Sequence, residues 1–260
     1  MNVPAVSWLR RYQPSSVAEF RLVCFPHAGG SASFYTSWAR RLAPHIDVLA
    51  VQYPGRQDRF AETPVVELMD MVAPVAQELA EWNDLPLALF GHSMGAVVAY
   101  EVARRLERDA ADGTGSPSPA WCFASGRVAP HRGRSFGAHL LDDDRLIARL
   151  RGLEAMDERL LADDELLRLV LPVVRGDCTA IETYQYEPGA GLGCPLTVLM
   201  GDADPRVPAE DAAAWREHAA GEYELRVFPG RHFFLLEHQT EIFRLIQNRL
   251  DSIRPPTLTL

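Results

Sequence analysis

The chain has 260 residues, 47% of them hydrophobic and 23% charged, so it can bury a full core and is neither disordered nor collagen-like. Its net charge of −9 argues against the basic face that nucleic-acid proteins carry, and no run of 18 apolar residues is present to span a membrane. Residues 1–16 hold arginines but no apolar segment of signal-peptide type. The four cysteines (Cys24, Cys122, Cys178, Cys194) have no metal-ligand spacing, so the expected compartment is the reduced cytoplasm.

Short apolar runs alternate with longer amphipathic stretches, the pattern of βαβ units around a largely parallel sheet. Residues 21–25 read as the first strand, 34–42 as a helix and 48–52 as the next strand. A helix over 67–82 puts Leu68, Val72, Val75 and Leu79 on one face, with Pro74 marking a kink or a late start. Strand 85–90 leads into a helix over 94–106. Residues 108–119, rich in Asp, Gly, Ser and Pro, read as a surface loop before strand 121–125. Between Gly126 and Pro188 the rhythm breaks into helical segments at 145–150, 158–171 and 173–184. It resumes with strands 196–200 and 224–228. The expected organisation is one α/β domain over 1–260 with a helical lid insertion at 127–187, and a frayed tail at 254–260.

Gly91-His92-Ser93-Met94-Gly95 sits between a predicted strand and a predicted helix. A serine on such a sharp turn is pushed out of the sheet, and the strained backbone leaves room only for glycine two residues either side. The turn also aims a helix N-terminus at the reacting carbonyl. Gly201-Asp202-Ala203-Asp204 and Gly230-Arg231-His232 each follow a predicted strand, where parallel sheets gather their ligands. The order Ser, Asp, His is that of the α/β-hydrolase fold, a mostly parallel central sheet flanked by helices. Ser93 is the expected nucleophile, His232 its base and Asp204 the carboxylate that fixes the imidazole. Asp202 competes with Asp204, although Asp204 precedes Pro205 and suits a rigid loop tip. His238, at a helix start, is the substitute for His232.

An acyl-transfer site also needs donors for a developing oxyanion. The Met94 amide supplies one, and the loop Phe25-Pro26-His27-Ala28-Gly29-Gly30-Ser31 supplies the other from Ala28, with Gly29 as the alternative. Each donor is worth about 3 kcal/mol of transition-state stabilisation. His27 and His92 border the site and are read as orienting loops.

Five blocks together resemble the discrete type II thioesterases of polyketide and nonribosomal peptide synthases. They are the loop 25–31, Gln52-Tyr53-Pro54-Gly55-Arg56, Gly91-His92-Ser93-Met94-Gly95-Ala96, Gly201-Asp202-Ala203-Asp204-Pro205 and Gly230-Arg231-His232-Phe233-Phe234. The resemblance implies hydrolysis of acyl thioesters from the phosphopantetheine arm of acyl or peptidyl carrier proteins, clearing stalled or wrongly primed synthases. It implies Ala28 and Met94 as oxyanion donors, no bound cofactor, and a stand-alone monomer whose partners are carrier domains.

Thioesters suit this apparatus, because a thiol of pKa about 8.5 departs with little protonation help. Phe136, Leu140, Leu153, Met156 and Leu161 are candidate lid walls, and an apolar pocket separates neighbouring chain lengths by only ~1–3 kcal/mol per methylene. Broad tolerance of short and medium neutral acyl groups follows. A malonyl-type carboxylate should be spared unless an arginine meets it. Carrier proteins are usually acidic, so docking on this acidic chain needs a local basic patch, for which Arg127, His131, Arg132 and Arg134 are the candidates. Arg56, Asp58 and Arg59 read as an ion-pair cluster at the site rim.

Overall fold

The computed structural model describes residues 7–151 and 164–254. Seven strands form one sheet: β1 (Leu9–Arg11), β2 (Phe20–Phe25), β3 (Ile46–Val51), β4 (Leu87–His92), β5 (Trp121–Ser125), β6 (Leu196–Gly201) and β7 (Tyr223–Phe228). Their order is β1-β3-β2-β4-β5-β6-β7, with β1 antiparallel to β3 and every other pairing parallel. Strands β2 to β6 are buried at every residue, because helices cover both faces and leave no polar side. This is the α/β-hydrolase architecture expected above.

Helices α1 (Thr36–Leu42), α2 (Leu68–Leu79) and α3 (Met94–Ala111) lie in the first half of the chain, and the long α8 (Gln239–Ser252) closes it. On one face, α2 and α3 bury Met71, Val75, Val98 and Val102 against Val23, Leu49 and Leu89. On the other, Trp38 of α1 packs on Phe90 and Phe243, joining α1 and α8 to β4. Helix α3 runs five residues past the predicted end, into the expected loop. Helix α2 starts at Leu68 and passes through Pro74, so the proline does not delay its start.

Between β5 and β6 the described chain holds short 3₁₀ turns and two helices, α4 (Asp143–Arg151) and α5 (Asp164–Thr183). The two predicted segments 158–171 and 173–184 are continuous from Asp164 onward, because α5 runs through Pro172. Pro172 is exposed, so water can satisfy the carbonyl that the missing N–H frees. The buried residues Leu167, Leu171 and Val174 pack with Leu146 and Ile147 of α4. Two short helices, α6 (Ala209–Ala213) and α7 (Phe234–Glu237), flank the β6 and β7 exits.

Candidate active site

Parallel register sets the site. Phe25 pairs with Gly91 at the ends of β2 and β4, so the loop after β2 and the turn after β4 emerge side by side at the topological switch point. Ser93 occupies that turn with φ 56° and ψ −117°, a conformation rare for a residue with a side chain. Its N–H donates to the Ser125 carbonyl at 2.8 Å, tying the elbow to β5. The flanking glycines are steric necessities. A Cβ on Gly91 would lie 2.0 Å from the Gly95 carbonyl oxygen, and one on Gly95 would lie 2.1 Å from that of Phe25.

Strands β6 and β7 deliver the other two residues. The Asp202 N–H donates to the Phe228 carbonyl at 2.9 Å, and the Ala203 N–H to the Gly230 carbonyl at 2.9 Å, so the two loops run together. His232 Nδ1 lies 2.5 Å from Asp204 Oδ2, and Nε2 lies 3.0 Å from Ser93 Oγ. With the ring proton on Nδ1, His232 donates to the carboxylate and accepts from the hydroxyl. Asp204 Oδ1 further accepts the Arg206 N–H at 3.0 Å.

The competitors are placed elsewhere. Asp202 Oδ1 accepts the Gly230 N–H at 2.9 Å and braces the loop. His238 Nε2 bonds the Pro229 carbonyl at 2.9 Å.

Burial pulls the His232 pKa below its ordinary value; the Asp204 bond opposes this, while the Arg206 and Arg127 charges add to it. Burial would raise the Asp204 pKa, but the hydrogen bond from His232, that ring's charge and the Arg206 N–H together bring it below the ordinary carboxylate value. His27 and His92 are buried and held neutral, first by burial and then by the nearby His232; His27 lies at about 3. His92 Nδ1 meets Ser125 Oγ at 3.0 Å. Among the described residues, Nδ1 of His27 and Nε2 of His92 have no hydrogen-bond partner.

Met94 opens α3, where an amide has no intrahelical acceptor. In the facing loop the Gly30 N–H donates to the His27 carbonyl at 2.9 Å, and the Gly29 N–H donates to Asp177 Oδ2 of α5 at 2.7 Å. Among the described residues nothing occupies the Ala28 amide, so of the two loop candidates only Ala28 has a free N–H.

A cavity of about 490 Å³ opens over Ser93, Ala28 and His232. Its apolar wall includes Phe34, Phe136, Leu146, Val174 and Ile181, and its polar side carries Arg127, Arg149 and Arg206. Of the predicted lid walls, Phe136 lines the cavity, Leu140 is 78% exposed to solvent and does not line it, and Leu153, Met156 and Leu161 fall outside the described residues. The expected basic patch divides. Arg127 faces the cavity and is half-buried, Arg132 and Arg134 are exposed along its lining, and His131 is exposed and does not line it. His131 Nδ1 meets His218 Nε2 at 2.7 Å, and Arg134 pairs with Asp211 at 3.2 Å.

The expected cluster at Arg56, Asp58 and Arg59 does not form. Arg56 pairs with Asp177, Arg59 with Glu62, and Asp58 with Arg10, because both arginines turn inward while Asp58 stays exposed. Among the described residues no group of three His, Cys, Asp or Glu side chains is placed to hold a metal ion, and no helix is long and apolar enough to cross a membrane.

Residues 20–250 match the thioesterase domain family. A probable cadicidin biosynthesis thioesterase of Streptomyces griseus is 46% identical over 90% of this chain, which spans 63% of that protein's length. Thioesterase PikA5 of Streptomyces venezuelae is 44% identical over 99% of this chain and 93% of its own length. The type II thioesterase BorB from the borrelidin biosynthetic cluster superposes with a TM-score of 0.86 at 46% identity, covering 94% of this chain and 97% of BorB. The chain therefore belongs to the thioesterase family, as a serine hydrolase for thioesters built on the α/β-hydrolase fold.

Proposed function

We propose that this chain removes short and medium acyl groups from the phosphopantetheine arm of acyl or peptidyl carrier proteins, as an editing enzyme of a polyketide or nonribosomal peptide synthase. The observation that carries the chemistry is the hydrogen-bonded chain Ser93–His232–Asp204 beneath an open cavity, beside the free amide of Ala28. His232 takes the Ser93 proton as Oγ attacks the thioester carbonyl, and Asp204 steadies the imidazolium. The Ala28 and Met94 amides meet the oxyanion. The thiolate then leaves and takes up the proton from the imidazolium, and the neutral His232 activates the water that releases the acid from Ser93.

Carrier specificity rests on the relatives, which belong to pathways of this kind. We place the reaction in the cytoplasm, a reading supported by the free thiols of all four cysteines. For docking we retain Arg132 and Arg134 at the cavity mouth. The reason for sparing carboxylated acyl groups loses its premise, since five arginines, Arg127, Arg132, Arg134, Arg149 and Arg206, line the cavity.

The test is a panel of acyl groups on a carrier protein, run beside free acyl-pantetheine thioesters and the matching oxygen esters. Ser93→Ala should lower kcat by about 10⁴ or more. Oxygen esters turned over as well as thioesters would point instead to a general esterase. Failure of Ser93 to react with a fluorophosphonate would point to a binding protein without catalysis.

A further inference from the structure

We infer that Asp177, carried on α5, is a positioning residue that aims the oxyanion loop. The inference rests on the reading of Ser93 and Ala28 given above.

Asp177 is fully buried. Its Oδ2 accepts the Gly29 N–H at 2.7 Å and Arg56 Nη1 at 2.7 Å, while Oδ1 accepts Arg56 Nη2 at 2.8 Å. Arg56 Nη1 also donates to the Gly30 carbonyl at 2.9 Å, and the Arg56 carbonyl accepts from the Gln52 side chain at 3.0 Å. The opposite end of that side chain, Gln52 Oε1, accepts the Ala32 N–H at 2.9 Å. The loop 27–32 is thus gripped at Gly29, Gly30 and Ala32 by groups from α5 and from the turn after β3.

The consequence falls on one amide. A peptide plane rotates as a unit, so fixing the direction of the Gly29 N–H fixes the Ala28 carbonyl to which it is joined. With that carbonyl held and the Gly30 N–H tied back to His27, of the Ala28, Gly29 and Gly30 amides that of Ala28 alone has no acceptor among the described residues. Gly29 has φ +76° and an added Cβ would lie 3.1 Å from Val174 of α5, so the same helix approaches the loop closely at a position that suits glycine. Backbone donors act in catalysis by being set before the charge develops, which requires a second layer of groups to hold them. Here that layer comes from a helix 148 positions further along the chain.

Three variants separate aiming from mere packing. Asp177→Ala deletes the acceptor. Asp177→Asn keeps an oxygen for Gly29. The double variant Arg56→Met with Asp177→Leu replaces the pair by apolar groups of similar size, which folded proteins commonly tolerate. Each is assayed on an acyl-pantetheine thioester, melted, and titrated with two ligands: an acyl trifluoromethyl ketone, which forms an oxyanion on Ser93, and a thioether of the same chain, which does not.

Asp177→Ala and the double variant should lose about 10²–10³ in kcat with KM changed less than about threefold. Affinity for the ketone should fall in proportion while thioether affinity holds, and Asp177→Asn should keep most of the activity. A folded double variant with normal kcat would overturn the inference, as would equal loss of both ligands. If Asp177→Ala does not fold, the double variant alone decides. A wild-type enzyme that fails on the thioester would instead refute the functional reading on which this one stands.

Discussion

The imidazole of His92 lies against that of His232, ring centres 5.1 Å apart and tilted by 48°. Both rings are buried, so lost hydration disfavours a positive charge on either, and a charge on His92 would also meet repulsion from His232. Arg206 and Arg127 add to the pressure on His232, and only the Asp204 carboxylate opposes it.

The acid limb of the pH profile follows from this. His232 must be neutral to act as a base, so activity rises with pH as it gives up its proton. The limb in kcat/KM for a small acyl-pantetheine thioester should lie below the ordinary value of 6.5. Arg206→Gln, which removes one repelling charge, should move it upward. A wild-type limb above that value, or an unmoved limb in the variant, would contradict the electrostatics described.

The elbow makes a sharper mechanical prediction. A methyl group at Gly95 would meet the Phe25 carbonyl oxygen at 2.1 Å, a contact with backbone that no rotamer can relieve. Gly95→Ala should therefore cost more than the ~1–3 kcal/mol of ordinary overpacking and sharply lower the melting temperature. Gly193→Ala is the control, since its methyl would meet Glu107 at 3.6 Å. Equal melting temperatures for the two would show that the helix and strand do not approach as described.

Much of this arrangement is legible in sequence, for a physical reason. Strands β2 to β6 are buried on both faces and read as mostly apolar runs, and a parallel sheet brings the residues just beyond them to one edge. Ser93, Asp204 and His232 are found by that rule. Strand β1 escapes it, because three residues at a sheet edge, two of them arginine, leave no apolar run. Asp177 escapes too. A single aspartate within a helical pattern looks like any solvated residue, and its partner Arg56 lies 121 positions away. Pro172 misleads in the opposite direction, since the sequence does not reveal that it faces water.

Buried neutral histidines also make stability depend on pH. Burial is the main cause in holding His27 at about 3 and His218 at about 4, against 6.5 for the free side chain. The unfolded chain then binds more protons than the folded one, so stability is complete above about 6.5 and falls as pH drops toward 4. Each histidine contributes a slope of about 1.4 kcal/mol per pH unit in that window. Urea unfolding at pH 7 and pH 5 should show the loss, and His27→Phe should make it smaller by about one histidine's share. An unchanged pH dependence in that variant would mean that His27 takes up its proton in the folded chain.

Arg206 offers a prediction about substrate. It lines the cavity with Arg127, and neither side chain has a hydrogen-bond or ion-pair partner among the described residues. Arg206 lines the same cavity as Ser93 and His232, and its charge lowers the His232 pKa. A carboxylate on the carbon next to the reacting carbonyl would find this guanidinium, and a charge-assisted contact of that kind is worth about 1.5–3 kcal/mol. A methyl group in the same place would gain nothing from it. Arg206→Gln should therefore slow hydrolysis of methylmalonyl-pantetheine by about tenfold more than that of propionyl-pantetheine. The comparison is made at a pH well above the acid limb, so that the shift in His232 affects both substrates alike. Equal slowing of the two would assign Arg206 to His232 alone and leave the acyl group without a charged contact.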